Sequence, residues 1–309
     1  MARRVLVTGG AGFIGSTVAE RFLAAGWDVA VLDDLSSGKR ENVPAGARFY
    51  PCDVRGAAAA EVVASERPEV LCHHAAQIDV RRSMDDPRHD ADVNVGGLLN
   101  LLAAAARAGS VRRVLFASSG GAAYGDTEVL PTPEGHPLRP VSVYGASKAA
   151  SELYLGVYRA THGIDFAALR YGNVYGPRQD PHGEAGVVAI FCGRLLDGRP
   201  CTVYGDGRQT RDYVFVEDVA RANLLAAERG FSGAVNVGTG VETDVLRLHA
   251  VLAGAAGSSA PPAMGPARLG EQRRSCIDPA AAAAALGWRP EVGLEDGLRR
   301  TLEWFRARR

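Results

Sequence analysis

Apolar residues in the first half of the chain come as short unbroken runs separated by stretches with helical spacing. Val5-Leu6-Val7 leads into Gly9, Gly12 and Gly15, and the following residues to Ala24 read as a helix. WDVAVLDDL (27–35) is a second strand with Asp33 at its end, and residues 48–54 are a third, ending in Asp53. An alanine-rich helix (56–66) and a fourth strand (69–76) follow. Residues 93–106 form a helix apolar on most sides, the mark of a buried helix. A fifth strand (113–119) ends in Ser118 and Ser119, a further helix opens at 143, and a sixth strand spans 165–171. Unbroken apolar strands alternating with helices over about 170 residues predict an α/β fold with a doubly wound parallel sheet.

Beyond Tyr171 the alternation weakens. Pro, Gly and charged residues cluster at 172–186 and 254–273, while 214–226 looks like core again. The expected division is a Rossmann-type domain of residues 1–173 with 212–238. A smaller mixed α/β C-terminal substrate domain takes 174–211 with 239–309. The alanine run 280–285 reads as plain helix.

Composition narrows the function. Lys plus Arg and Asp plus Glu number 35 each, so no basic field points to nucleic acid. The five cysteines are scattered and never form a CxxC pair, as expected of free thiols in a reducing cytosol. The N-terminus runs directly into a strand, and no run of about 20 apolar residues exists, so a cytoplasmic protein is expected.

A strand, a glycine turn and a helix N-terminus make a pyrophosphate site, because the first helical N–H groups are unpaired and the helix dipole is positive there. Asp33 follows Gly15 at roughly the 20-residue offset of a ribose-binding acid. Its charge would repel a 2′-phosphate, favouring NAD over NADP, although Lys39 and Arg40 follow closely. Asp53 suits a contact near the adenine. Ala75, Ala76 and Gln77 permit close approach to the pyrophosphate. His73 and His74 point to opposite faces of a strand, so no metal site is expected.

Tyr144 and Lys148 share a helix face at i and i+4. A lysine ammonium beside a phenol favours the phenolate, which makes Tyr144 a candidate proton acceptor. Ser119, at the end of the preceding strand, can bond the same substrate hydroxyl.

The resemblance rests on GGAGFIG at 9–15, HisAlaAla at 74–76, SerSerGlyGlyAlaAlaTyrGly at 118–125, TyrGlyAlaSerLys at 144–148, LeuArgTyrGlyAsnValTyrGlyPro at 169–177, ArgAspTyr at 211–213 and ArgLeuGlyGlu at 268–271. With these motifs the chain resembles extended short-chain dehydrogenases/reductases of the NAD-dependent epimerase/dehydratase family, and within it the UDP-hexose 4-epimerases. The resemblance implies tightly held NAD, transient oxidation at the sugar C4 with Tyr144 taking the 4-hydroxyl proton, rotation of the keto sugar, and hydride return to the other face. It implies a cofactor set of Gly9, Gly12, Phe13, Ile14, Gly15, Asp33, Asp34, Ser37, Asp53, Val54, Ala75, Ala76, Gln77, Asn94, Tyr144, Lys148 and Tyr171. The implied substrate set is Ser118, Ser119, Tyr124, Tyr144, Asn173, Val188, Arg211, Arg268 and Ser275, with Asn173 and the two arginines on the UDP diphosphate.

Sugar dehydratases of this family carry an Asp-Glu pair after the catalytic Ser or Thr. Gly120 and Gly121 stand here instead, which disfavours dehydration. The loop is one residue longer than in better-known epimerases, so the choice between Ser118 and Ser119 stays open. Ser275 stands at the family's gate beside the sugar 2-substituent; its small size extends the expected substrates to UDP-GlcNAc and UDP-GalNAc. The resemblance also implies a homodimer through a four-helix bundle, with Tyr154, Leu155 and Leu98–Leu102 in the contact. The competing readings are a UDP-glucuronate 4-epimerase or decarboxylase, a dTDP-sugar epimerase, and a non-catalytic nucleotide sensor. Asp180 and Glu184 make the substrate loop acidic, which weighs against a glucuronate substrate.

Overall fold

The computed structural model describes residues 3–181, 186–267 and 272–309. The first half alternates as read. β1 (Arg4–Thr8), α1 (Phe13–Ala24), β2 (Asp28–Leu32), β3 (Arg48–Tyr50), α2 (Ala57–Glu66) and β4 (Val70–His73) come first. Short helices α3 (Val80–Asp85) and α4 (Pro87–Ala91) lead through a π-helical turn (Asp92–Gly96) into α5 (Gly97–Ala108). Then come β5 (Arg113–Ser119), the short α6 (Gly120–Tyr124), α7 (Val143–His162) and β6 (Asp165–Tyr171). β3 is shorter than the expected 48–54, because Pro51 has no N–H to donate to a ladder. The expected helix at 93–106 begins as the π turn, so its first residues are offset from the straight helix.

The second half holds β7 (Asn173–Tyr175), α8 (Val187–Leu196), β8 (Thr202–Tyr204), β9 (Thr210–Phe215), α9 (Val216–Glu228) and β10 (Gly233–Val237). β11 (Glu242–Asp244), α10 (Val245–Ala256), β12 (Ala263–Gly265), α11 (Ala280–Leu286) and α12 (Leu294–Arg306) complete it.

The main sheet is parallel throughout, in the order β10-β6-β5-β4-β1-β2-β3. The order reverses between β1 and β4, and ligands bind outside the strand ends at such a switch point. The period of two is visible in the core. Val5, Val7, Val29 and Val31 pack with α1 and α9 on one face, while Leu6, Ala30 and Leu32 pack with α2 and α5 on the other. The sheet β11-β9-β7, with α8, α10 and α12, builds a second core around Tyr175, Phe191, Phe215 and Leu298. β7 and β9 therefore carry residues of the smaller lobe to the ends of the main strands. Among the described residues no helix is long and apolar enough to cross a membrane.

Candidate active site

The glycine loop is required by the backbone. Gly9 has φ 67°, and a Cβ there would stand 2.5 Å from the Ala75 amide nitrogen. A Cβ on Gly15 would stand 2.1 Å from the Gly9 carbonyl oxygen. α1 starts at Gly12 without a side-chain cap and with no acid in its first turn, so its positive end is left to an external anion. The cradle fits a dinucleotide pyrophosphate.

Asp33 is buried just past β2. Its carboxylate accepts from the Ala11 amide at 2.9 Å and the Leu35 amide at 2.8 Å. Each oxygen keeps a free lone pair for a ribose hydroxyl. Burial raises its pKa, and the two amide bonds oppose that shift. Asp34 accepts from Ser36, while Ser37 is exposed beside it. Asp53 pairs with Arg55 at 2.5 Å, which holds its carboxyl below the usual range. Val54 is buried next to it.

Beyond β4 the chain is fixed by Asn94 from the π turn. Asn94 accepts from the Gln77 amide and donates to the Gln77 carbonyl, both at 2.9 Å. Its side chain thus clamps the backbone that follows Ala75 and Ala76. Asp90, fully buried, accepts from Gln77 Nε2, Asn94 Nδ2 and, at 2.6 Å, Ser147 Oγ. The second turn of α7 is thereby tied to the segment that follows β4.

α7 is capped by Ser142, which accepts from the Gly145 amide at 3.1 Å. Lys148 is 4% exposed and its Nζ lies 5.7 Å from the centre of the Tyr144 ring. The ammonium donates to the Ala117 carbonyl at 2.8 Å and has two further donors. Burial pushes it down to about 8, against the opposing pull of Asp90 and Glu152. Burial and this cation bring His73 and His74 down to about 3. Both are therefore neutral, bonded to Thr8 at 2.7 Å and to Tyr171 at 3.1 Å.

Strand alternation separates the two serines. Ser119 caps α6, accepting from the Ala122 amide at 3.1 Å, and is half-buried. Ser118 instead donates to Glu152 at 2.6 Å inside the core. Glu152 also receives two bonds from Arg170, at 3.0 and 2.6 Å, and Arg170 donates to the Tyr124 hydroxyl at 2.8 Å.

The structure places several of the expected side chains in the interior. Ser118 and Tyr124 belong to the buried Glu152–Arg170 cluster. The Tyr171 ring turns inward to His74 and Asn223. Val188 is in the second core. Leu98, Leu101, Leu102 and Leu155 are buried in the core on the α2–α5 face of the sheet.

On the other lobe Asn173 is exposed and Arg211 half-buried, on strands that flank each other. Between them Asp212, 1% exposed, accepts from Thr239, Gly240 and Ile277. That holds the segment carrying Ser275, whose amide bonds the Thr210 carbonyl at 3.2 Å. A Cβ on Gly121 would be 3.4 Å from Ser275 Oγ. Ser275 thus borders α6 directly after Ser119. Arg268 and Glu184 lie outside the described residues. Asp90, Glu152, Arg170 and Asp212 escape the sequence reading. Spacing carries a signal for two of them: Asp90 is four residues before Asn94, and Glu152 four after Lys148.

The profile of the NAD dependent epimerase/dehydratase family matches residues 5–238. A Mycolicibacterium smegmatis protein described as UDP-glucose 4-epimerase is 50% identical, over 98% of both chains. The Thermotoga maritima UDP-glucose 4-epimerase solved with UDP-glucose superposes with a TM-score of 0.96 at 45% identity, covering 99% of each chain. The Thermus thermophilus UDP-glucose 4-epimerase solved with NAD gives 0.93 at 49% identity, over 98% of this chain and 99% of that one.

Proposed function

The chain belongs to the NAD-dependent epimerase/dehydratase family, and from that premise we propose that it is a UDP-hexose 4-epimerase that keeps its NAD bound. The observation that supports this most directly is the Tyr144–Lys148 pair beside the end of β5. It lies across the switch point from Asp33, so an adenosine held by Asp33 directs the nicotinamide toward Tyr144.

Bound NAD supplies a reversible hydride acceptor for the sugar C4. Tyr144 accepts the 4-hydroxyl proton and later returns it. The Lys148 ammonium lowers the energy of the phenolate in this buried setting. Ser119 bonds the same sugar oxygen and orients it. Asn173, Arg211 and Arg268 hold the UDP diphosphate while the sugar turns over, exposing its other face. Gly120 and Gly121 supply no acid or base for loss of water, so the reaction ends in inversion at C4.

Small Ser275 beside Gly121 favours room for an N-acetyl group at C2, extending the substrates to UDP-GlcNAc and UDP-GalNAc. The protein acts in the cytoplasm as a homodimer. Exposed Leu153, Tyr154 and Val157 on α7 offer the stripe for that contact. Incubation with UDP-glucose, UDP-GlcNAc, UDP-glucuronate and dTDP-glucose, without added cofactor, tests the reading by NMR of the products. It expects the galacto-configured UDP-sugars. Exclusive turnover of UDP-glucuronate or dTDP-glucose would replace it.

A further inference from the structure

We propose that Arg178 is a positioning residue that latches the substrate-side turn after β7 onto the dinucleotide helix α1 and so slows release of the bound dinucleotide. Residues 176–179 form a turn in which the Gln179 amide bonds the Gly176 carbonyl at 3.4 Å. Pro177 is second and Arg178, with φ 72°, third, as in a type II turn. The third position of such a turn is normally glycine, because a side chain there is strained. Arg178 therefore opposes the local backbone preference, and its side chain supplies what offsets the strain.

That side chain reaches the first turns of α1. Its guanidinium donates to Glu20 at 2.5 Å and to Ser16 Oγ at 3.2 Å. Ser16 is buried, and its hydroxyl passes the contact on to the Phe13 carbonyl at 3.2 Å. Phe13 begins the helix whose N-terminus faces the pyrophosphate cradle. The same turn directly follows β7, which carries Asn173. One guanidinium thus ties the strand expected at the substrate diphosphate to the helix expected at the cofactor diphosphate. The inference rests on the dinucleotide reading of residues 9–15 and deepens it. An enzyme that must not lose reduced cofactor in mid-cycle gains from closing the dinucleotide site whenever the substrate lobe is seated.

The test measures cofactor release, not turnover. Wild type and variants are loaded with NADH, chased with excess NAD, and followed by NADH fluorescence with and without UDP. Arg178→Gly relieves the backbone while removing the latch, so it should keep or raise the Tm and yet release NADH about tenfold faster. Glu20→Ala, which breaks the latch but leaves the strained turn, should also speed release without the gain in Tm, and UDP should slow release less in both than in wild type. Release from Arg178→Gly within about twofold of wild type overturns the latch. So does an equal acceleration in Arg299→Ala, which breaks a remote surface pair. Failure of the wild type to interconvert UDP-galactose and UDP-glucose would sink the epimerase reading separately and leave the release rates readable.

Discussion

Lys148 Nζ sits one helical turn from Tyr144, 5.7 Å from the centre of its ring, and is anchored by the Ala117 carbonyl at 2.8 Å. The anchor matters because a free lysine head samples many rotamers. Here the strand that ends in Ser119 holds the ammonium, so the serine strand and the tyrosine helix share one fixed positive charge.

Replacing Tyr144 with phenylalanine removes the proton acceptor and leaves the ring. Turnover of UDP-galactose should fall about 10²- to 10⁴-fold, with Tm nearly unchanged. Steady-state kinetics with thermal unfolding checks both. Retention of most activity would remove Tyr144 from the mechanism.

The ammonium of Lys148 is lost as pH rises through about 8. The phenolate then loses its stabilising cation, and kcat should decline on that alkaline limb. Lys148→Arg keeps its charge far above this range. If the variant is active, its alkaline limb should move upward. A limb that stays near 8 would assign the titration to another group.

His73 and His74 give the fold an acid sensitivity. An unfolded histidine takes up a proton near 6.5, whereas these two resist until about 3. Between those values the unfolded state binds more protons, so the stability is complete above pH 6.5 and is lost as pH falls. From pH 6.5 to 5 the loss should be up to about 2 kcal/mol for each histidine. Urea titrations at the two pH values measure it. His74→Gln should show a flatter dependence than the parent.

The sheet, the glycine loop and the Tyr144–Lys148 face are legible in the sequence because each has a local period or spacing. Side-chain direction at the ends of elements is less legible. Ser118 and Ser119 look alike in the chain, and only the pleat of β5 sends one to Glu152 and the other to cap α6. Tyr124 and Tyr171 sit in motifs that border the site, but their rings fill space beneath it. Asp212 reads as the middle of an arginine motif; its task, holding three backbone amides from two distant segments, needs the tertiary fold.

Ser275 is buried, and a Cβ at Gly121 would meet its Oγ at 3.4 Å; on the proposed reading a larger side chain at 275 takes up the space meant for the sugar C2 substituent. Ser275→Tyr should depress kcat/KM for UDP-GalNAc by about tenfold or more while sparing UDP-galactose. Parallel assays on the two sugars decide it. An equal effect on both would mean that Ser275 does not border the C2 substituent.

The Glu152–Arg170 pair is buried at 8% and 7% side-chain exposure, with Ser118 and Tyr124 satisfying further lone pairs and donors. Removing one partner leaves an uncompensated charge in the core. Arg170→Met should therefore cost about 3–5 kcal/mol of stability. Glu152→Met in the same chain removes both charges, and the double variant should recover much of that loss. Recovered stability need not bring recovered turnover. Glu152 stands one turn beyond Lys148 and its carboxylate favours the ammonium, so the double variant should lose that support. The expected signature is a Tm near that of the parent with an alkaline limb of kcat displaced below about 8. Urea titration and a pH–rate profile on the same preparations separate the two effects, and an unmoved limb would leave the pair with a purely architectural part.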